Sequence, residues 1–208
     1  MLLVPAELIQ AIGLAHEAMM AHLQHDLNLG YRRLIWAGLG PHMNSSCQNE
    51  LIGLKRRVNL AILAAQMVLP IWNKFYPSDD LPYRCIDLAR QVLNKNLDEN
   101  VAWEQRNMFW SKLIDKGNRD QENQVVQGVG FSAVQVLTTA LRDEIFEPLK
   151  IDLNLTDADI DPEAMDSSFF AAAAYANGAI WNSGSDSLKR QKFWEWWLKE
   201  AVPMAWAL

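Results

Sequence analysis

Three histidines on the first predicted helix, His16, His22 and His25, come nearest to the residue types and spacing of a metal site. His22 and His25 are three positions apart, so one helix face can present both rings to the same ion. The chain lacks the HExxH pattern, however, and no cysteine or carboxylate clearly completes a set of four ligands. We therefore interpret these histidines as surface or capping residues and predict no metal site.

A glycine pair, Gly128 and Gly130, resembles the start of a dinucleotide-binding loop. Such a loop binds phosphate groups only when it follows a strand and opens a helix. Residues 123–127 do not have the pattern of a strand, and the GxxxxGK[ST] pattern of a P-loop is absent from the sequence. We therefore expect the two glycines to allow close approach between helices, and we predict no nucleotide cofactor.

Negative charge is concentrated between residues 143 and 166, which we call the acidic segment. It contains nine carboxylates and one basic residue, Lys150, so its net charge is −8, whereas the whole chain carries −6. The remainder of the chain is therefore slightly positive. The nine carboxylates are those of Asp143, Glu144, Glu147, Asp152, Asp157, Asp159, Asp161, Glu163 and Asp166.

Two interpretations of the acidic segment are open. Concentrated charge can steer a basic partner and raise its association rate. The residues that we would assign to such a contact are Asp157, Asp159, Asp161 and Glu163. The other interpretation is a solvated loop whose carboxylates favour the positive end of the next helix, and Thr156, Asp157 and Asp159 suit that role.

The acidic segment also bears a partial calcium-loop pattern. Four oxygen-bearing side chains stand at positions 1, 3, 5 and 12 of an EF-hand-like loop: Asp152, Asn154, Thr156 and Glu163. Position 6 requires glycine for a sharp turn, and Asp157 occupies it, so we do not predict a calcium site. No Ser-His-Asp or Cys-His combination stands out either, and we predict no catalytic residues.

Helical periodicity and capping residues indicate the elements that position these groups. The predicted helices cover 5–25, 50–69, 78–94, 98–117, 125–145, 157–176 and 185 onward, with one short helix around 33–37 in an otherwise loop-like stretch. We expect the second long helix to end or kink at Pro70, and Thr156 with Asp159 to form a capping-box start for the helix after it in the acidic segment. Because no strand pattern or linker interrupts the chain, we predict an all-α fold, a single-domain bundle of about seven helices over residues 1–208.

Composition excludes several classes of function. A net charge of −6 argues against general binding to nucleic acid or to an anionic membrane surface. No uninterrupted apolar run approaches the ~20 residues that cross a bilayer, and the N-terminus lacks the pattern of a signal peptide. We therefore expect a cytoplasmic protein with no membrane partner, in which Cys47 and Cys85 are buried free thiols.

The last predicted helix is unusually rich in tryptophan. Six residues share one broad face that we assign to the core: Phe193, Trp194, Trp197, Ala201, Met204 and Ala205. Trp196 lies off that face, so either another helix covers it or it belongs to an interface. Pro203 should kink the final turn and redirect Trp206.

These residues also carry a resemblance to a known family. The sequence FWEWWLKEAVPMAW at 193–206 resembles the C-terminal signature of the Imm5-like family, predicted immunity proteins of bacterial polymorphic toxin systems. The pieces YANGAIW at 175–181 and VLPIW at 68–72 are similar to family segments, as is the acidic-capped helix at 79–93 that follows the second piece. Together they span roughly 55–206.

The resemblance implies an all-α protein that binds and neutralises a partner toxin, and our leading hypothesis is that it does so by stoichiometric occlusion. It implies no enzymatic activity, no catalytic residues and no cofactor. The toxin-binding candidates are then the four carboxylates named above and Trp196. Two alternatives stay open: a helical enzyme with a small-molecule site, which requires a pocket where ionisable side chains converge, and a structural protein that self-associates through Trp196.

Overall fold

Helices form the regular structure throughout the described parts of the chain, which are residues 4–41, 50–119 and 124–207 in a computed structural model. No strand occurs in these ranges, so the predicted all-α fold is confirmed. The helices are α1 (Ala6–Ala21), α2 (Leu29–Gly38), α3 (Glu50–Phe75), α4 (Leu81–Leu93), α5 (Glu99–Arg119), α6 (Gln124–Leu141), α7 (Ser167–Tyr175), α8 (Ser187–Trp196) and α9 (Val202–Trp206), with a π-helical turn (Trp197–Ala201) between the last two.

The centre of the bundle is formed by α3 and α6. Helix α6 packs against α3, α4, α5 and α7, and α3 also contacts α7 and α9. Residues 126–130 of α6 are all buried, which is more than one full turn. A helical stretch that is buried on every side must be surrounded by other elements. One large hydrophobic cluster includes residues of α6 and of its neighbours α3, α4, α5 and α7.

The glycine pair in α6 permits this packing. A Cβ atom on Gly130 would lie 2.4 Å from Cδ2 of Leu113, and one on Gly128 would lie 3.2 Å from the carbonyl oxygen of Phe170. The expected close approach between helices is therefore confirmed. Both glycines lie inside a helix rather than in a loop that opens one.

Helix α3 continues past Pro70 to Phe75, so of the two predicted outcomes at Pro70 the helix end is excluded. A proline inside a helix costs about 3 kcal/mol because one backbone hydrogen bond is lost. Beyond it, the side chain of Trp72 is completely buried, and its Nε1 donates a hydrogen bond to the carbonyl oxygen of Asp79 at 2.7 Å. We attribute the continuation to this packing, which offsets the local penalty.

Helix α3 is also apolar enough to cross a membrane by length and composition. The stretch Leu51–Phe75 has 25 residues, and half of its most apolar part is buried inside the protein. This stretch is not an uninterrupted apolar run, because Arg56 and Arg57 lie near its start. A central helix of a bundle passes the same test because it is apolar on several sides.

Helix α7 starts at Ser167, ten residues later than predicted. The predicted capping box exists, since the backbone N–H of Thr156 donates to Oδ2 of Asp159 at 2.9 Å, but it caps only a short 3-10 turn, Asp157–Asp159. Pro162 follows, and a residue before proline is driven to an extended conformation. Asp161 adopts it, with φ of −62° and ψ of 138°, so the helix cannot continue there.

The tryptophan-rich helix contains a π turn, Trp197–Ala201, just before Pro203, the residue at which the sequence predicts a kink. The backbone N–H of Val202 donates to the carbonyl oxygen of Trp197, five residues earlier. Such a turn holds about one extra residue, so positions beyond it rotate relative to the predicted face. Val202 is therefore fully buried, whereas Met204, which the sequence pattern assigns to the core, is 54% exposed.

Candidate functional site

Arg32 of α2 holds the acidic segment against the helical bundle. Its side chain is completely buried, and its Nε donates to Oδ2 of Asp166 at 2.8 Å. Its Nη1 donates to Oδ2 of Asp157 at 3.0 Å and to the carbonyl oxygen of Leu27 at 2.6 Å. The guanidinium also lies 5.5 Å from the centre of the Trp194 ring. One arginine thus pairs with two carboxylates that are nine residues apart in the acidic segment.

The backbone of α2 also approaches the acidic segment closely. The N–H of Gly30 donates to the carbonyl oxygen of Leu155 at 3.1 Å. A Cβ atom on Gly30 would lie only 2.1 Å from the carbonyl oxygen of Asp152, a distance at which the two atoms overlap. Gly30 lies inside α2, which is longer than the short helix predicted around 33–37, and allows this contact.

Burial and the neighbouring opposite charges shift the pKa values of Arg32 and Asp157 in opposite directions. Burial alone lowers the pKa of Arg32, but the charges of Asp157 and Asp166 raise it by more, so the arginine remains charged. Burial raises the pKa of the Asp157 carboxyl, and the neighbouring carboxylates Asp166 and Asp26 add to that shift while Arg32 opposes it. Removing Arg32 would leave the buried carboxylates of Asp157 and Asp166 without their cation.

Two more arginines fasten the two ends of the acidic segment. Arg57 of α3 forms a bidentate pair with Asp143, in which both N···O distances are 2.7 Å. Arg106 of α5 contacts Oε2 of Glu163 at 3.3 Å and stacks 4.6 Å from the centre of the Trp110 ring. The acidic segment is therefore held to three different helices.

The five toxin-binding candidates are placed differently by the structure. Asp157 is 3% exposed and paired with Arg32, so it has no surface to offer a partner. Asp159 and Asp161 are exposed, and the side chain of Glu163 is 58% exposed. Hydrogen bonds from Thr156 lower the pKa of Asp159, which favours its charged form. We call Asp159, Asp161 and Glu163 the exposed carboxylates.

Trp196 is half-buried and packs against the hydrophobic core. Its ring centre lies 5.6 Å from that of Phe193. It is thus partly covered within the chain, in part by a residue of its own helix. The residues that line the cleft described next do not include it.

A cleft of about 500 Å³ lies between the acidic segment and helices α2, α3, α5 and α6. We call it the Trp103 cleft. Its aromatic side chains are Trp36, Trp103 and Phe146, and its arginines are Arg57, Arg106 and Arg142. Its carboxylates are Asp143, Glu144, Asp161, Glu163 and Asp166. Ionisable side chains therefore converge here, as the enzyme alternative requires, but each of the three arginines already pairs with a carboxylate.

The histidines and the cysteines follow the simpler interpretations where the structure describes them. His22 ends α1, and its Nδ1 accepts the backbone N–H of Asp26 at 3.3 Å, so the capping role is confirmed for this histidine. His16 lies 3.6 Å from a carboxylate oxygen of Glu195. Cys85 is a buried free thiol, and burial raises its pKa. Cys47 lies outside the described residues.

Sequence reasoning missed the arginines, although α2 carried a signal. Leu29, Arg32 and Ile35 recur at helical spacing, and all three are buried. A charged residue on an apolar helix face indicates a buried ion pair, because an unpaired charge there would cost several kcal/mol. The partner cannot be chosen from the pattern, since Asp157 and Asp166 are 125 and 134 residues away.

Comparison with known proteins adds the identity of the family. A search of curated proteins finds no match to this chain. The family model described as "Immunity protein Imm5" matches residues 12–204, which is nearly the whole chain. The match starts in α1, well before residue 55, where the resemblance in the sequence begins. It includes the acidic segment and the tryptophan-rich helix, and the chain therefore belongs to the Imm5 immunity protein family.

Proposed function

We propose that this protein neutralises a protein toxin by binding it stoichiometrically, and that the exposed carboxylates make first contact with a basic surface of the toxin. Membership of an immunity protein family supports the general role. The observation that carries the specific proposal is the way in which Arg32 holds the acidic segment, because it leaves Asp159, Asp161 and Glu163 on the surface while Asp157 and Asp166 are buried.

This arrangement favours rapid binding. A segment that is already fastened to a folded bundle loses little conformational freedom when a partner binds. Carboxylates that remain exposed create a negative field, which raises the association rate of a basic partner and depends on ionic strength. We therefore expect the exposed carboxylates to act mainly on the rate of association. We also propose that the protein works in the cytoplasm, where a free thiol such as that of Cys85 stays reduced.

The proposal can be tested by measuring association with the cognate toxin. The double variant Asp159→Lys/Asp161→Lys should slow association by about tenfold at low salt, with a smaller effect at physiological ionic strength. A matched control, Asp87→Lys/Glu200→Lys, changes the net charge equally at two exposed positions outside the acidic segment. Stopped-flow measurements compare the two double variants. If both slow association equally, or if neither slows it, the proposed contact surface is rejected.

Occlusion makes a separate prediction about stoichiometry. When the immunity protein is titrated into a fixed amount of toxin, the residual toxin activity should fall linearly and reach its minimum at one equivalent. A catalytic mechanism of protection would instead act at far less than one equivalent. Loss of toxin activity at a small fraction of an equivalent would therefore overturn the proposed mechanism.

A further inference from the structure

Trp103 is a large aromatic residue that the hydrophobic core does not use. It lies on α5 beside Ala102, which is completely buried, but it is itself only half-buried and lines the Trp103 cleft. Within the described ranges, no hydrogen bond or ring contact engages its indole. Partly exposed tryptophans of this kind are enriched at the centres of protein interfaces.

Two more aromatic side chains line the same cleft. The ring centres of Trp36 and Phe146 are 5.8 Å apart. With Trp103, they give the cleft aromatic surface from α2, from α5 and from the start of the acidic segment. Aromatic faces attract cations because of the negative potential above the ring.

The ionisable groups of the cleft leave it with a net negative charge. Five carboxylates line it against three arginines. Asp143 is committed to Arg57, and Asp166 is committed to Arg32. Asp161 is different, because its Oδ1 accepts only the backbone N–H of Glu163 at 2.8 Å, and no lysine or arginine in the described chain pairs with it. A cationic group is therefore the complementary occupant.

We propose that the Trp103 cleft receives an arginine side chain of the toxin, an inference that rests on the proposed function and names the group recognised. A guanidinium is planar, so it stacks on an aromatic ring while its N–H groups donate to a carboxylate. Trp103 supplies the ring, and Asp161 and the exposed oxygen atoms of Glu163 supply the acceptors. The cleft volume of about 500 Å³ is large enough for a side chain together with part of its backbone.

The site can be tested without the toxin by titrating Nα-acetyl-arginine amide into the ¹⁵N-labelled protein. The indole N–H signal of Trp103, assigned with Trp103→Phe, should shift and saturate in the millimolar range. The indole of Trp181, which is 54% exposed and stacks on Phe169, should stay unmoved. Nα-acetyl-glutamate amide is the anionic control. An unmoved Trp103 signal, or an equal shift with the glutamate probe, would overturn the proposal.

The carboxylate partner is tested by a conservative variant. Asp161→Asn keeps the side-chain oxygen that caps its own turn but removes the charge, so the affinity for the arginine probe should fall at least fivefold. Asp87→Asn makes the same change at an exposed position of α4 and should leave the affinity unchanged. Equal affinity for the probe in the two variants would remove Asp161 from the site and contradict the proposal.

Binding measurements with the toxin itself distinguish failure of the cleft proposal from failure of the proposed function. Trp103→Ala should weaken toxin binding at least tenfold, Trp103→Phe should largely restore it, and Trp181→Ala should change it less than twofold. A double-mutant cycle between Trp103 and each surface arginine of the toxin should identify one coupled pair. Normal binding by Trp103→Ala overturns the cleft proposal and leaves the function intact, whereas failure of the unmodified protein to bind overturns both.

Discussion

The buried and the exposed carboxylates of the acidic segment have the same chemistry but opposite surroundings. Asp157 is 3% exposed and pairs with an arginine that is itself completely buried. Asp159, two residues further on, is exposed and hydrogen-bonded only to Thr156. One carboxylate holds the segment to the bundle, while the other faces the solvent and any partner.

This difference shows why the net charge of a segment overstates the charge that a partner meets. The acidic segment carries −8 in the sequence. Arg32, Arg57 and Arg106, which come from three helices outside it, lie against its carboxylates. The charge that remains exposed is smaller than the sequence suggests, but it is held in one place.

The largest effect should follow from replacing the shared cation, Arg32. In Arg32→Met, the carboxylates of Asp157 and Asp166 lose their buried partner, and the free energy of unfolding should fall by about 3–5 kcal/mol. Urea denaturation measures this value. The control Arg90→Met removes an exposed arginine of α4 and should change it by less than about 0.5 kcal/mol. Similar stabilities for the two variants would contradict the anchoring role of Arg32.

A matched pair of substitutions separates the two kinds of carboxylate directly. Asp157→Asn should lower the free energy of unfolding by about 2–3 kcal/mol, because a buried, charged hydrogen bond is lost. Asp159→Asn makes the same chemical change two residues away at an exposed carboxylate, so it should be much less destabilising. Thermal unfolding of both variants tests the comparison, which would fail if Asp159→Asn were the more destabilising.

The close approach of α2 to the acidic segment gives an intermediate effect. Gly30→Ala places a Cβ atom 2.1 Å from the carbonyl oxygen of Asp152 and should cost about 1–3 kcal/mol through overpacking. Gly13→Ala in α1, where a Cβ atom would meet nothing within 4 Å, should instead stabilise the protein by about 0.5–1 kcal/mol. Changes of the same sign in both variants would contradict the predicted contact at Gly30.

The smallest effect on stability should come from the exposed end of the Arg106–Glu163 pair. The side chain of Glu163 is 58% exposed and lies 3.3 Å from Arg106, so solvent screens the interaction. Glu163→Gln should therefore change the free energy of unfolding by less than about 1 kcal/mol. A loss of 2 kcal/mol or more in urea denaturation would show that Glu163 belongs with the buried carboxylates instead.

Part of the fold could be predicted because it depends on local signals. The start of α4, where Oδ1 of Asp79 accepts the backbone N–H of Leu81, and the cap of α5 at Asp98 follow from capping chemistry over three or four residues. The continuation of α3 through Pro70 could not be predicted, because it depends on what surrounds Trp72. Likewise, the sequence pattern wrongly assigns Met204 to the core, because the local pattern contains no signal for the π turn that precedes it.

The candidate site divides in the same way. The sequence by itself determined that the protein is all-helical, that its negative charge is concentrated in residues 143–166, and that its C-terminal helix resembles an immunity protein family. Only the tertiary structure decided which carboxylates are buried, because their arginines lie more than eighty residues away in the chain. The physical reason is that a local pattern states how much charge is present, whereas the choice between pairing and exposure depends on contacts between distant segments.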